Sequence, residues 1–176
     1  VGELFGIGGV ENAGPVAQDL GHVVTADDEC RLRWRGRALP LIVSCMNSTS
    51  SYTIHKLTDT DDMAPKYGLD EQGEARFATD DLAAEQTGLS LQSLKPGKRQ
   101  AFGHRHDTAE EVYVVLSGSG RMKLDDEIAD IGAMDAIRVA PAVTRAFEAG
   151  PEGLEWLVFG PRCKGDGEVL QGWWSD

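Results

Sequence analysis

The chain is poor in the features that would assign it quickly. Its 176 residues include only three cysteines, Cys30, Cys45 and Cys163, widely separated and without a C-x-x-C pair. That spacing argues against a disulfide framework or a zinc ribbon, and favours free thiols in a reducing cytoplasm. No stretch approaches the roughly 20 apolar residues of a membrane-spanning helix. The glycines of "FGIGGVENAG" lack the G-x-G-x-x-G spacing and have no strand before them, so a phosphate loop is not expected. Positive charge is scarce: 17 Lys and Arg stand against 29 Asp and Glu, a formal net charge of -12. A nucleic-acid backbone is therefore an unsuitable partner. No basic region followed by an apolar run and a small-residue cleavage site opens the chain, so a cytoplasmic location is expected. The sequon at Asn47 then reads as chance.

Glycine is abundant, at 21 residues, and it punctuates the second half of the chain. This favours a turn-rich, all-β architecture over a helical bundle. The first 45 residues carry little pattern, and composition shifts at "MNSTSSYTIHKL". Residues 1–45 are expected to be a disordered extension and residues 46–176 the folded domain, with its core at 89–160. "SYTIHKL" can be a strand. "TDTDDMAPKYG" and "ATDDLAAEQTG" offer short helical turns, the first closed by a glycine. Strand-like segments follow at short spacing: "LSLQSL", "RQAFGH", "EEVYVVLSG", "GRMKLDD", "EIADI", "DAIRVAP", "TRAFEAG" and "LEWLVFG". Turn residues such as "KPGK", "SGSG", "DDE" and "GPEG" separate most of them, the pattern of a β-sandwich or barrel.

Two of only four histidines fall two positions apart in "HRHDTAEEVYVVLSGSG", beginning at His104. His104 and His106 are spaced to share one face of a strand. Glu111 and Tyr113 share a face of the next. If Glu111 turns inward with the histidines, two imidazoles and a carboxylate converge. That donor set suits non-haem Fe(II) and similar divalent metals. An isolated H-x-H is a weak signal; the glutamate and the following glycine strengthen it.

With these residues in view, the sequence resembles a small single-domain cupin. The first cupin motif is matched by Gly97, His104, His106, Glu111 and Gly118, with one extra residue after Gly97. The frame of the second is matched by Gly132, an apolar strand and Pro141, but its histidine position holds Arg145. The resemblance covers roughly residues 89–160. It implies a double-sheet jelly-roll barrel, preceded here by the short helical turns. It also implies His104, His106 and Glu111 as ligands of a divalent ion such as Fe, Mn, Ni or Zn.

Arg145 departs from that pattern. Facing a divalent ion from about 4 Å, it would repel it by on the order of 8 kcal/mol even at an effective dielectric of 20. Three placements are open: paired with Glu111 in a metal-free polar pocket, swung aside to hold an anionic substrate above a three-ligand metal, or on the surface. Arg145, Tyr113 and Gln100 are the candidate substrate-binding residues; Arg138 could also approach, whereas His55 reads as a surface or packing residue. Two functions follow. One is a divalent-metal-dependent enzyme on a small organic substrate. The other is a metal-free small-molecule-binding or accessory cupin. Neither reading calls for nucleic acid or membrane, and the sheet edges such a fold leaves, with the terminal "GWW", suggest a homodimer.

Overall fold

In the computed structural model, residues 51–174 are described. The reading of residues 1–45 as an extension and the Asn47 sequon lie outside them. Eight strands follow two short 3-10 turns: β1 Gly73–Phe77, β2 Thr87–Leu94, β3 Phe102–Arg105, β4 Glu111–Leu124, β5 Glu127–Gly132, β6 Ala136–Val139, β7 Arg145–Pro161 and β8 Glu168–Gln171. The fold is all-β, as expected.

Two strands, β4 and β7, are much longer than the rest, and they pair antiparallel along their length. The first part of β4 also pairs with β6, and the last part of β7 with β2, which carries β1. The second part of β4 pairs with β5, and the start of β7 with β3, which carries β8. The two long strands therefore belong to both faces of the roll. One face runs β1-β2-β7-β4-β6, the other β8-β3-β7-β4-β5. Strands that switch sheets do so at bulges or bends. Here the register shifts between Val115 and Ser117 and between Gly118 and Gly120. Gly118 and Gly153 both have positive φ (78° and 83°), and a Cβ on Gly118 would lie 2.1 Å from the Gly153 carbonyl oxygen. "SGSG" and "GPEG", expected as turns between separate strands, are instead the places where β4 and β7 bend through.

Between the faces sits the core: Tyr113, Val115, Met122, Phe147, Leu154, Trp156 and Val158 are all nearly or fully buried. Phe147 and Trp156 stack at 4.4 Å between ring centroids. Each such aromatic removes about 150–250 Å² from water, roughly 4–6 kcal/mol of gross stabilisation. A second, smaller cluster joins Ala75 and Phe102 to Met63, Tyr67 and Leu69, so the segment before β1 packs against the sheet.

Three local expectations need correction. "SYTIHKL" is irregular and leads into the 3-10 turn Leu57–Asp59; its alternation finds no strand to pair with among the described residues. The second turn, Pro65–Tyr67, ends at Gly68 with φ 68° as the glycine suggested. "ATDDLAAEQTG" forms turns rather than a helix. Thr79 Oγ1 accepts the Leu89 N–H and Asp80 pairs with Arg162, side-chain bonds that compete with helical ones. Cys163 is in a disulfide, against the free-thiol expectation.

Candidate metal centre

β3 and β7 place His104 directly opposite Arg145 in antiparallel register. β4 brings Glu111 and Tyr113 from the other face, and both turn inward onto Arg145. His106 lies just past the end of β3, where its N–H donates to the Pro141 carbonyl at 2.9 Å. All of these except Glu111 are buried, and the Glu111 side chain keeps 18% of its surface exposed.

The donor atoms of His104, His106 and Glu111 all lie within 4.8 Å of one another. His104 Nε2 is 3.7 Å from Glu111 Oε2, and His106 Nε2 is 3.4 Å from Glu111 Oε1. The imidazoles stand edge to face, with centroids 5.6 Å apart. His106 Nδ1 is 2.7 Å from the Asp166 carbonyl oxygen. A carbonyl only accepts, so Nδ1 carries the proton, and in the neutral ring Nε2 is a bare lone pair. That buried Nε2 has no hydrogen-bond partner among the described residues.

The surface placement of Arg145 is excluded: its side chain is fully buried. Nη2 donates to Glu111 Oε2 at 2.6 Å and Nε to the Tyr113 hydroxyl at 2.9 Å. Nη1 donates to the carbonyls of Pro141 (3.2 Å) and Val143 (3.1 Å). The Tyr113 hydroxyl in turn donates to Glu111 Oε2. Arg145 and Tyr113 thus both grip one oxygen of Glu111, and Oε1 is left facing His106.

Electrostatics follow from this geometry. Burial, together with the Arg145 charge, holds the His104 imidazole down at about 4 against its ordinary 6.5, although Glu111 pulls the other way. Burial alone would raise the Glu111 carboxyl, but the two imidazoles and the Arg145 guanidinium outweigh it and hold it well below the usual carboxylate range. Burial and the Glu111 charge push the Tyr113 phenol up, so it keeps its proton and donates. Burial works against the Arg145 cation, yet Tyr113 and Glu111 overcome it. The centre near neutral pH is one carboxylate, one guanidinium and neutral His104.

Other sequence-nominated residues sit elsewhere. Gln100 does turn inward, accepting the Phe147 N–H at 3.0 Å. It lines a small, mostly apolar cleft with Gln92, Phe102 and Trp156 that none of His104, His106 or Glu111 borders. Arg138 is exposed and paired with Glu110, because it faces Val112 on the outward side of β4. His55 bonds Thr60 Oγ1 at 2.8 Å, in keeping with a packing role. Asp166 was missed. It lies 60 residues beyond His106 in an unpatterned stretch, and only the folding of β8 onto β3 brings it there.

Residues 90–160 match the cupin domain family. The chain contains a cupin-superfamily domain, and the curled all-β sheet agrees with it. An uncharacterized protein of Methanocaldococcus jannaschii is 30% identical over 83 residues, which span 46% of this chain and 66% of that protein. Among solved structures, the polyketide cyclase RemF from Streptomyces resistomycificus aligns at TM-score 0.56 and 20% identity, covering 70% of this chain and 87% of RemF. A cupin protein from Bacteroides fragilis aligns at TM-score 0.51 and 21% identity, covering 70% of this chain and 86% of that one. At such identities these likenesses concern the fold.

Proposed function

We propose that this domain holds a divalent metal ion through His104, His106 and Glu111, and uses it on a small organic molecule. The observation that carries this reading is the bare, buried Nε2 of His106, aimed with His104 at a carboxylate whose other oxygen is already gripped. A nitrogen-rich set with one carboxylate suits Fe, Mn, Ni or Zn. When bound, such an ion supplies Lewis-acid polarisation of an oxygen on the substrate. The protein's own groups prepare the place. Asp166 keeps the proton on His106 Nδ1. Burial keeps His104 neutral. Tyr113 and Arg145 fix Glu111 by Oε2 and leave Oε1 to ligate. With three donors and a cation beside them, the ion is held more weakly than in a four-ligand centre.

Arg145 favours a second reading, in which its guanidinium is the resident cation and the site binds small molecules without metal. Calorimetric titration of zinc, nickel and manganese into protein stripped of metal separates the two. Saturable 1:1 binding that His106→Ala weakens supports the metal reading; no heat with any of the three supports the other. A homodimer belongs to the same proposal. The apolar outward side chains of Val112, Val114, Leu157 and Phe159, adjacent in register across β4 and β7, support self-association.

A further inference from the structure

The segment after the family match, from β7 to Trp174, is tied across the β3 side of the barrel. Arg162 Nη1 donates to the Ala84 carbonyl at 2.6 Å. β8 then pairs with β3, with Glu168 opposite Arg105 and Val169 opposite His104. Beyond it, Trp173 lies flat against Gly103, where a Cβ would come within 2.5 Å of its ring. The Trp173 carbonyl accepts from Lys123 Nζ at 2.8 Å. Between these anchors the strap bends at Asp166 and Gly167. Gly167 has φ 108°, and a Cβ there would sit 2.1 Å from the Arg105 carbonyl oxygen and 2.8 Å from His106 Cα. Only glycine permits so close an approach in that conformation.

Asp166 is the residue this approach delivers, and it is nearly buried. Its carboxylate spans the loop between the two motif histidines and the glutamate. Oδ1 accepts the Thr108 N–H at 2.9 Å and the Thr108 hydroxyl at 3.0 Å, and Oδ2 accepts the Ala109 N–H at 2.8 Å. Its main-chain carbonyl takes the His106 Nδ1 proton. One residue outside the cupin match thus fixes both the ring orientation of His106 and the loop that leads into Glu111.

We infer that Asp166 is the positioning residue of this centre: its main-chain carbonyl selects the His106 tautomer that bares Nε2, and its carboxylate keeps the loop where that bond can form. A neutral imidazole in water exchanges between tautomers, and the bond made by one nitrogen decides what the other offers. The tautomer claim stands on the protein alone; its consequence for metal affinity rests on the proposed function.

The test is nitrogen-15 NMR of the histidine rings in metal-free protein at neutral pH, with His55, which bonds Thr60 and neither Asp166 nor the 108–109 loop, as internal control. His106 in the wild type should carry its proton on Nδ1. Asp166→Ala frees the 108–109 loop, and Gly167→Ala pushes the carbonyl away by its Cβ. Both should mix the His106 tautomers while His55, whose ring bonds Thr60, is unchanged. Asp166→Asn keeps an acceptor for Thr108 and should restore part of the selection. Should Gly167→Ala fail to fold, wild type and the two Asp166 variants decide. A wild-type His106 protonated on Nε2, or an identical Nδ1 tautomer in every folded variant, would overturn the inference. In a parallel zinc titration, Asp166→Ala should bind about 10–100-fold more weakly than wild type. If wild type takes up no zinc, the metal reading fails, and the tautomer result still decides the role of Asp166.

Discussion

Replacing Arg145 by histidine should convert a weak metal site into a strong one. In the structure, Nη2 of Arg145 lies 2.6 Å from Glu111 Oε2. An ion bound to the opposite carboxylate oxygen at about 2.1 Å would stand roughly 4.5 Å from the guanidinium. At an effective dielectric of 20, a unit charge and a divalent ion at that separation repel by about 7 kcal/mol. Partial exposure of Glu111 lets water screen some of this. Even so, losing the cation and gaining an imidazole should raise affinity at least ~100-fold, about 2.7 kcal/mol. There is a cost in the metal-free state. Glu111, largely covered, is left without its cation, which destabilises the fold by up to about 3 kcal/mol. Metal-free Arg145→His should therefore melt below wild type, and saturating zinc or nickel should return most of the loss by mass action. The assay is calorimetric titration of both proteins with zinc and nickel, paired with thermal melts. His106→Ala in the Arg145→His background should remove the gain. If wild type binds tightly and Arg145→His changes neither affinity nor melting, the guanidinium does not oppose the ion, and the reasoning fails.

Stability should also depend on acidity. His104 is held at about 4 in the fold against 6.5 in the unfolded chain, so between those values only the unfolded chain takes up its proton. Stability is complete above about pH 6.5 and falls as pH drops toward 4, by about 3 kcal/mol in all. The Glu111 contribution, from a lowered carboxyl, is lost only as pH falls below its ordinary 4.5. Urea midpoints measured from pH 7 to pH 4.5 check this, and His104→Gln should flatten the slope in that window. Light scattering at micromolar concentration should give about twice the 19.0 kDa chain mass, and a monomer mass would remove the homodimer from the proposal.

The donor set was legible because it is local. His104, His106, Glu111 and Tyr113 occupy ten consecutive positions, and strand alternation alone fixes which faces they share. Arg145 was legible only as an anomaly in a motif frame. Its burial and its bond to Glu111 depend on β7 lying opposite β3, a pairing that short-range pattern does not encode. The same limit produced the error at Arg138, where alternation along β6 offered two faces and the outward one was occupied. β4 and β7 were each read as two strands because glycines serve a bend within a strand as well as a turn between strands. Asp166 left no trace, since an aspartate between glycines is ordinary loop composition until the strap folds back on β3.

The central claim is that His104, His106 and Glu111 are the ligands. X-ray absorption at the zinc edge, on wild-type protein loaded with one equivalent of zinc, tests it most directly. The account predicts a first shell of nitrogen and oxygen near 2.0–2.1 Å, with outer-shell scattering from two imidazoles that falls to one in His106→Ala. A wild-type spectrum without imidazole scattering, or one that His106→Ala leaves unchanged, would contradict it.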